Sequence, residues 1–362
     1  MNTISCAHLD DVISETRQFQ LRGTPERRQN PITGTWTTSD ATRARRPQPR
    51  TSGNRLVTLA HECDFCLGRT IPAVLHSGGG RVEIPDIANA IEAGRRWVHI
   101  NEDAFIRKRQ FGPLLDVFRS VCDASTAPAR TFPNVCPLPG IGRIAVVNGF
   151  VTAAHPQYHD ADLSECPTDV MAANIDAWKV FHRYCVNNSY VLLPYINGGC
   201  DRRSGQSFAH PHSQHLILEG APALFAAMGD AKRAGKCRVC ELLLMTDLHI
   251  ALPNHDGFVL MADPAPVHSW GLYIVSRLCE DDLANIDSTA FAAVFISALK
   301  RLSSIVGGVP AYNLVVRIGA GHFHAEVVPR STNTIAGAEI GSQEFFNDAP
   351  ASFVAASLRS AA

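Results

Sequence analysis

Two short motifs, each occurring twice in the same order, constrain this chain more than anything else in it. Cys63-Asp64-Phe65-Cys66 and Cys237-Arg238-Val239-Cys240 are Cys-x-x-Cys pairs, and each is followed by a His-x-His: His210-Pro211-His212 after the first, His322-Phe323-His324 after the second. A Cys-x-x-Cys on a tight knuckle supplies two ligands to a tetrahedral zinc, and each pair must find two more. One further donor lies in each interval, His159 in the first and Cys279 in the second. The spacing therefore predicts two structural zinc sites, Cys63/Cys66/His159/His210 and Cys237/Cys240/Cys279/His322. A redox reading would place each pair at the start of a helix in a βαβ context, which neither pair has. The repetition predicts a duplicated unit, with halves at 1–220 and 221–362.

Composition narrows the setting. The chain has 362 residues, 46% of them hydrophobic and 19% charged, enough to bury a large core and too apolar for a disordered or fibrous protein. Its 11 cysteines are an odd number, and an odd thiol count in a chain with no secretory leader pattern argues for metal ligation over a disulfide framework. The six cysteines outside the sets, Cys6, Cys122, Cys136, Cys166, Cys185 and Cys200, read as ordinary small buried thiols. With 33 Lys+Arg against 34 Asp+Glu, there is no global positive field for nucleic acid or a membrane surface. No apolar run approaches the ~18 residues of a membrane span. These features predict a cytoplasmic protein with a small-molecule partner and no nucleic acid or membrane. A zinc-ribbon binding protein would need a basic domain with exposed aromatics, which balanced charge and 7% aromatic content do not favour.

Local patterns predict an α+β architecture. The stretch to about Asn54 is polar and Arg-rich, and reads as extended segments and loops. Gly142 to Ala154 looks like two strands turning at Asn148-Gly149. Leu163 to Val186 carries apolar residues at helical spacing behind Pro167-Thr168-Asp169, and Phe291 to Ile305 does the same in the second half. Strands are expected over Tyr190 to Ile196, His212 to Leu218, Phe258 to Met261, Gly271 to Val275, Leu314 to Ile318 and His322 to Pro329, with a glycine-containing loop over Asn197 to Gln206.

The segment His210-Pro211-His212-Ser213-Gln214 is the richest in chemistry. On an extended chain His210, His212 and Gln214 share a face. A neutral imidazole attacks phosphorus competently near pH 7 when its other ring nitrogen is held as N–H by an acceptor. A glutamine two places on can donate to a phosphoryl oxygen, and the preceding loop can offer backbone amides. A single core histidine would carry no such meaning; this constellation does.

That segment resembles the active-site motif of the galactose-1-phosphate uridylyltransferases and their ADP-glucose phosphorylase-like relatives, a branch of the histidine triad superfamily in which Gln replaces the third histidine. The resemblance extends over most of the chain: Asn30-Pro31-Ile32-Thr33-Gly34-Thr35-Trp36 is similar to the family's D/N-P-x-T-x-x-W, Arg43 to Pro47 to its R-A-x-R-P, Cys63 to Thr70 to its C-P-F-C-x-G, and Thr334 to Gly341 to its C-terminal G-F-E-x-G. It implies two histidine-triad-like halves, each an antiparallel sheet with packed helices, in a homodimer. It implies transfer of a nucleoside monophosphate between a nucleoside diphosphate sugar and a sugar 1-phosphate, through a covalent nucleotidyl-histidine at His212; the alternative is phosphorolysis of an ADP-sugar, with phosphate as the acceptor. Gln214 and Ser207 then fall at the α-phosphate, Arg43 and Arg46 at the nucleotide phosphates, Asn197 at a phosphate and Glu339 at sugar hydroxyls, while His210 is a zinc ligand beside the nucleophile. Three departures stand out. The loop between Asn197 and His210 is two residues longer than usual and holds Asp201, Arg202 and Arg203; Arg130-Thr131-Phe132-Pro133 lacks the usual Asn; and Ala338, not an aromatic, precedes Glu339.

Overall fold

The computed structural model of the chain describes residues 26–39, 63, 129–133, 146–154, 158–159, 161–199, 202–206, 209–218, 220–252, 255–306, 308, 310–330 and 335–361. Its strands are β1 (Glu26–Gln29), β2 (Trp36–Ser39), β3 (Ala129–Pro133), β4 (Val146–Ala154), β5 (Val191–Gly198), β6 (His212–Leu218), β7 (His249–Ile250), β8 (Phe258–Ala262), β9 (Leu272–Ser276), β10 (Tyr312–Arg317), β11 (His324–Pro329) and β12 (Glu344–Asn347). Nine of them form one sheet in the order β3-β4-β6-β5-β10-β11-β9-β8-β7, every neighbour antiparallel. The helices are α1 (Thr168–Asn187), α2 (Ala223–Arg233), α3 (Arg238–Leu243), α4 (Ser288–Val306), α5 (Gly337–Ser342) and α6 (Ala351–Ser360). The architecture is α+β. The chain order strand-strand-helix-strand-strand occurs twice, as β3-β4-α1-β5-β6 and β8-β9-α4-β10-β11, and the two sets mirror one another across the β5–β10 seam.

The helices form because their apolar residues recur at three and four. In α1, Val170, Met171, Ile175, Trp178, Phe181 and Cys185 are buried, Pro167 precedes the first turn, and Asp169 lies in that turn where the helix dipole favours an acid. In α4, Phe291 packs edge-on against Phe323 at 5.3 Å between centroids. Removing a ring of that kind costs about 3–5 kcal/mol. Trp178 and Phe181 lie against His215 of β6, so the odd-numbered face of β6 looks into the helical layer. Alternation then puts His212 and Gln214 on the opposite face of the sheet.

Two expectations change. Gly142 to Ala154 does not turn at Asn148-Gly149: Val146–Ala154 is one strand, paired with β6 on one side and β3 on the other, and the register shifts between Asn148 and Phe150. Gly149 is the extra residue of a bulge, and ladders on both sides outweigh the local turn preference of Asn-Gly. Asn197 belongs to strand β5 and does not open the loop, because pairing with β10 carries the strand through Asn197↔Asn313 and Gly198↔Tyr312. The loop starts at Gly199 (φ +96), where a Cβ would stand 2.2 Å from the Pro310 carbonyl oxygen, so only glycine fits.

The small sheet β1-β2-β12, with β12 parallel to β2, fastens the N-terminal segment to the C-terminal part of the chain. Asn30 anchors it: its Oδ1 accepts from the amides of Ile32 and Thr33, and its Nδ2 donates to Asp263 and to the Tyr273 hydroxyl at 3.0 Å. None of the helices among the described residues is long and apolar enough to cross a membrane.

Candidate active site

His212 opens β6 and is buried. Its Nδ1 lies 2.8 Å from the His210 carbonyl oxygen. A carbonyl can only accept, so Nδ1 carries the proton and Nε2 of the neutral ring carries the lone pair. Burial lowers the pKa of this imidazole. Gln214, two residues on, shares its face and makes no hydrogen bond within the described residues, so both amide hydrogens remain to be used. Tyr195 of β5 is opposite Gln214 and Ile196 opposite Ser213; one further step of that register places Asn197 across from His212. Behind the strand, Trp178 Nε1 donates to Ser213 Oγ (3.1 Å), which donates to Asn174 Oδ1 (2.9 Å). This buried chain ties the strand to α1 between the two residues that face the site.

His210 precedes the strand and is turned differently. Its Nε2 donates to the Ala154 carbonyl at 2.8 Å, which leaves Nδ1 as the lone-pair nitrogen, 3.2 Å from His159 Nδ1 and 3.6 Å from Cys63 Sγ. His322 repeats this: Nε2 meets the Ser276 carbonyl at 2.8 Å, and Nδ1 is 3.3 Å from Cys237 Sγ and 3.6 Å from Cys240 Sγ. With Zn–N and Zn–S lengths of about 2.0–2.1 and 2.3 Å, ligands at tetrahedral angles stand about 3.3 Å apart for an N–N pair and about 3.5 Å for an S–N pair. The distances fit. The donors of Cys237, Cys240, Cys279 and His322 all lie within 4.8 Å of one another, as do those of Cys63, His159 and His210. Burial and the adjacent Cys237 and Cys279 push the Cys240 thiol up to about 12, a penalty that a bound cation relieves. Both clusters can hold a metal ion.

The other expected site residues divide. Cys66, Ser207, Arg43 and Arg46 lie outside the described residues. Glu339 is buried, and its carboxylate accepts from two backbone amides, Ala336 N at 2.7 Å and Phe346 N at 3.0 Å, capping α5 and fastening β12. Asn197 Oδ1 accepts from Asn313 Nδ2 at 2.7 Å. Three residues around these groups carry no sequence signal. Asp281 accepts from the amides of Gly319 (2.9 Å) and Gly321 (2.6 Å), Lys232 donates to the carbonyls of Cys279 and Gly321, and Arg238 donates to the Ile32 carbonyl. Together they hold the turn before His322 and tie the second cluster to the N-terminal segment. Their partners are backbone atoms distant in sequence, so no motif could have marked them.

The chain matches no protein-family model in sequence, and no curated protein matches it either. Solved structures do match in shape. An ADP-glucose phosphorylase from Arabidopsis thaliana with bound ADP-glucose superposes with a TM-score of 0.64 at 18% identity, over 93% of this chain and 99% of that one. The chain has the fold of that enzyme. A GalT-like protein from Arabidopsis thaliana gives 0.60 at 17% identity with the same coverage, and a uridylyltransferase gives 0.56 at 19%, over 66% of this chain and 85% of that one. These are the proteins that the His-Pro-His-Ser-Gln motif resembles, reached independently through the shape of the backbone.

Proposed function

We propose that the chain is a nucleotidyltransferase of the galactose-1-phosphate uridylyltransferase type, working by ping-pong through His212. The observation that carries this reading is the tautomer lock: the His210 carbonyl holds Nδ1–H, so Nε2 meets the substrate as a lone pair. Nε2 attacks the α-phosphorus of a nucleoside diphosphate sugar. The N–P bond forms as the bond to the bridging oxygen breaks, and the electron pair leaves with the sugar 1-phosphate. The acceptor, a second sugar 1-phosphate or inorganic phosphate, then attacks phosphorus with its own oxygen and returns the lone pair to Nε2. Gln214 donates to the oxygens on which charge develops; a single donor of this type is worth about 10²–10³ in rate. Ser207, Arg43 and Arg46 complete the phosphate contacts in this reading, and Glu339 the sugar contact. A homodimer remains part of the proposal, as do two histidine-triad-like halves, 1–220 and 221–362, supported by the mirrored strand order.

Each half would hold one structural zinc, through Cys63, Cys66, His159 and His210, and through Cys237, Cys240, Cys279 and His322. With four protein ligands a zinc orients the strand beside it and leaves no position for water. Inorganic phosphate is the alternative acceptor: an ADP-glucose phosphorylase structure superposes over 93% of this chain and 99% of its own, which supports adenylyl transfer to phosphate as a second reading. The test is incubation with UDP- and ADP-glucose labelled at the α-phosphate. Label should remain on the wild type through denaturation and be absent from His212→Ala; no label from any nucleotide sugar overturns the covalent mechanism. Release of ADP on adding phosphate, against UDP-hexose on adding hexose 1-phosphate, separates the two acceptors.

A further inference from the structure

We infer that Asn313, on strand β10 of the opposite half, is a positioning residue for this site: it reaches across the β5–β10 seam and sets the amide of Asn197 so that its N–H groups serve the phosphoryl group at His212. The inference rests on the nucleotidyltransfer reading above. Directly opposed residues of an antiparallel pair share a face, so Asn313, Asn197, His212 and Gln214 lie on one side of the sheet. Asn313 Nδ2 donates twice, to Asn197 Oδ1 and to the Ser204 carbonyl, each at 2.7 Å. The first bond decides which end of the Asn197 amide faces which way. Rotated by half a turn, Asn197 would set NH₂ against NH₂, lose the bond and present a carbonyl oxygen to an anionic phosphate. As it stands, Asn197 Nδ2 makes no hydrogen bond within the described residues, and Gly205 next to it leaves room, since a Cβ there would stand 3.7 Å from that nitrogen. The second bond fastens the turn Arg202–Ser204 to the same residue, so the lengthened loop is anchored by the strand that aims Asn197.

The experiment is a double-variant cycle on single-turnover labelling of the enzyme by α-phosphate-labelled nucleoside diphosphate glucose at saturating concentration. Zinc content and melting temperature are recorded for each variant. Asn197→Ala and Asn313→Ala should each slow labelling about 10- to 100-fold. Asn313→Ala should add nothing in the Asn197→Ala background, because a residue acting through another has nothing left to act on. Should Asn313→Ala fail to fold, Asn313→Asp replaces it: it keeps the volume and cannot donate to Asn197 Oδ1. Equal slowing in both backgrounds would show that Asn313 acts through the loop, and overturns the inference while leaving the transferase reading intact. So would normal labelling by Asn313→Ala. A wild type labelled by neither nucleotide sugar overturns both.

Discussion

The strand that begins at His212 and the strand that begins at His324 share a backbone plan and differ in the side chains that a phosphate would meet. In both, the first histidine of the His-x-His turns Nε2 to a backbone carbonyl and Nδ1 into a Cys/His cluster. In both, the second histidine locks Nδ1 on the preceding histidine's carbonyl at 2.8 Å. Two residues on, Gln214 in the first strand is matched by Glu326 in the second. Across the ladder, where Asn197 faces His212, Arg317 faces His324. Arg317 and Glu326 satisfy one another at 2.6 Å, both largely buried, and Asn30, Asp263 and Tyr273 close over the same face. Burial, with Glu326 beside it, pushes Asp263 up to about 8, so this face disfavours a further negative charge. The first strand presents neutral amides to an incoming anion. The second has supplied its own anion, and a phosphate there would meet a carboxylate. In the proposed reading the first strand leaves the place for an anion open, whereas the Arg317–Glu326 pair already fills it on the second.

The comparison can be broken most sharply at the histidines. His212→Ala should abolish labelling, whereas His324→Ala should leave the labelling rate unchanged and lower only the melting temperature; loss of transfer in both would show that the second strand also reacts. Exchanging the acidic and amide residues comes next. Gln214→Glu should slow labelling by about 10²–10³. Glu326→Gln should leave the rate alone and destabilise the fold, since stranding the buried Arg317 charge costs about 3–5 kcal/mol, read by denaturant titration.

The metal clusters respond more mildly. Metal analysis should return two zinc per chain, and Cys279→Ala should remove one of them and lower the melting temperature, while Cys279→His should retain it, because imidazole substitutes for thiolate in a tetrahedral set. A content of one zinc with Cys279→Ala neutral would remove the second site. A further test concerns His215, whose ring nitrogens are both buried without a partner and whose pKa burial lowers to about 3. Its stabilising effect is complete above the unfolded value of about 6.5 and is lost as pH falls toward 3, because the unfolded ring takes up a proton that the folded ring refuses. His215→Phe should therefore flatten the loss of stability between those pH values, measured by denaturant midpoints; an unchanged slope would count against this.

Much of the fold was legible locally. The helix over Thr168–Asn187 and the strand over His212–Leu218 follow from periodicity alone, because their buried faces are written at spacings of three to four and of two. Asn148-Gly149 misled because its turn preference is local, whereas the bulge depends on the distant β6 ladder that runs through it. Strand β12 was missed because its partner is the distant β2, and a four-residue edge carries little pattern of its own. At the site, the ligand types and the His212–Gln214 pair were visible in sequence. Glu326 stands in plain view two residues after His324, yet its meaning depends on Arg317 facing it across the ladder.

The sequence by itself determined which residues could ligate a metal or attack phosphorus, because that is a property of side-chain chemistry at fixed spacing along an extended chain. Only the tertiary structure decided which nitrogen of each histidine is held, that both His-x-His strands join one sheet on the same face, and that Asn313 donates to Asn197 across the β5–β10 seam. The first is made by carbonyls as near as two positions away, but only once the strand is in place; the others are made by the β5–β10 pairing, whose partners lie more than a hundred positions apart.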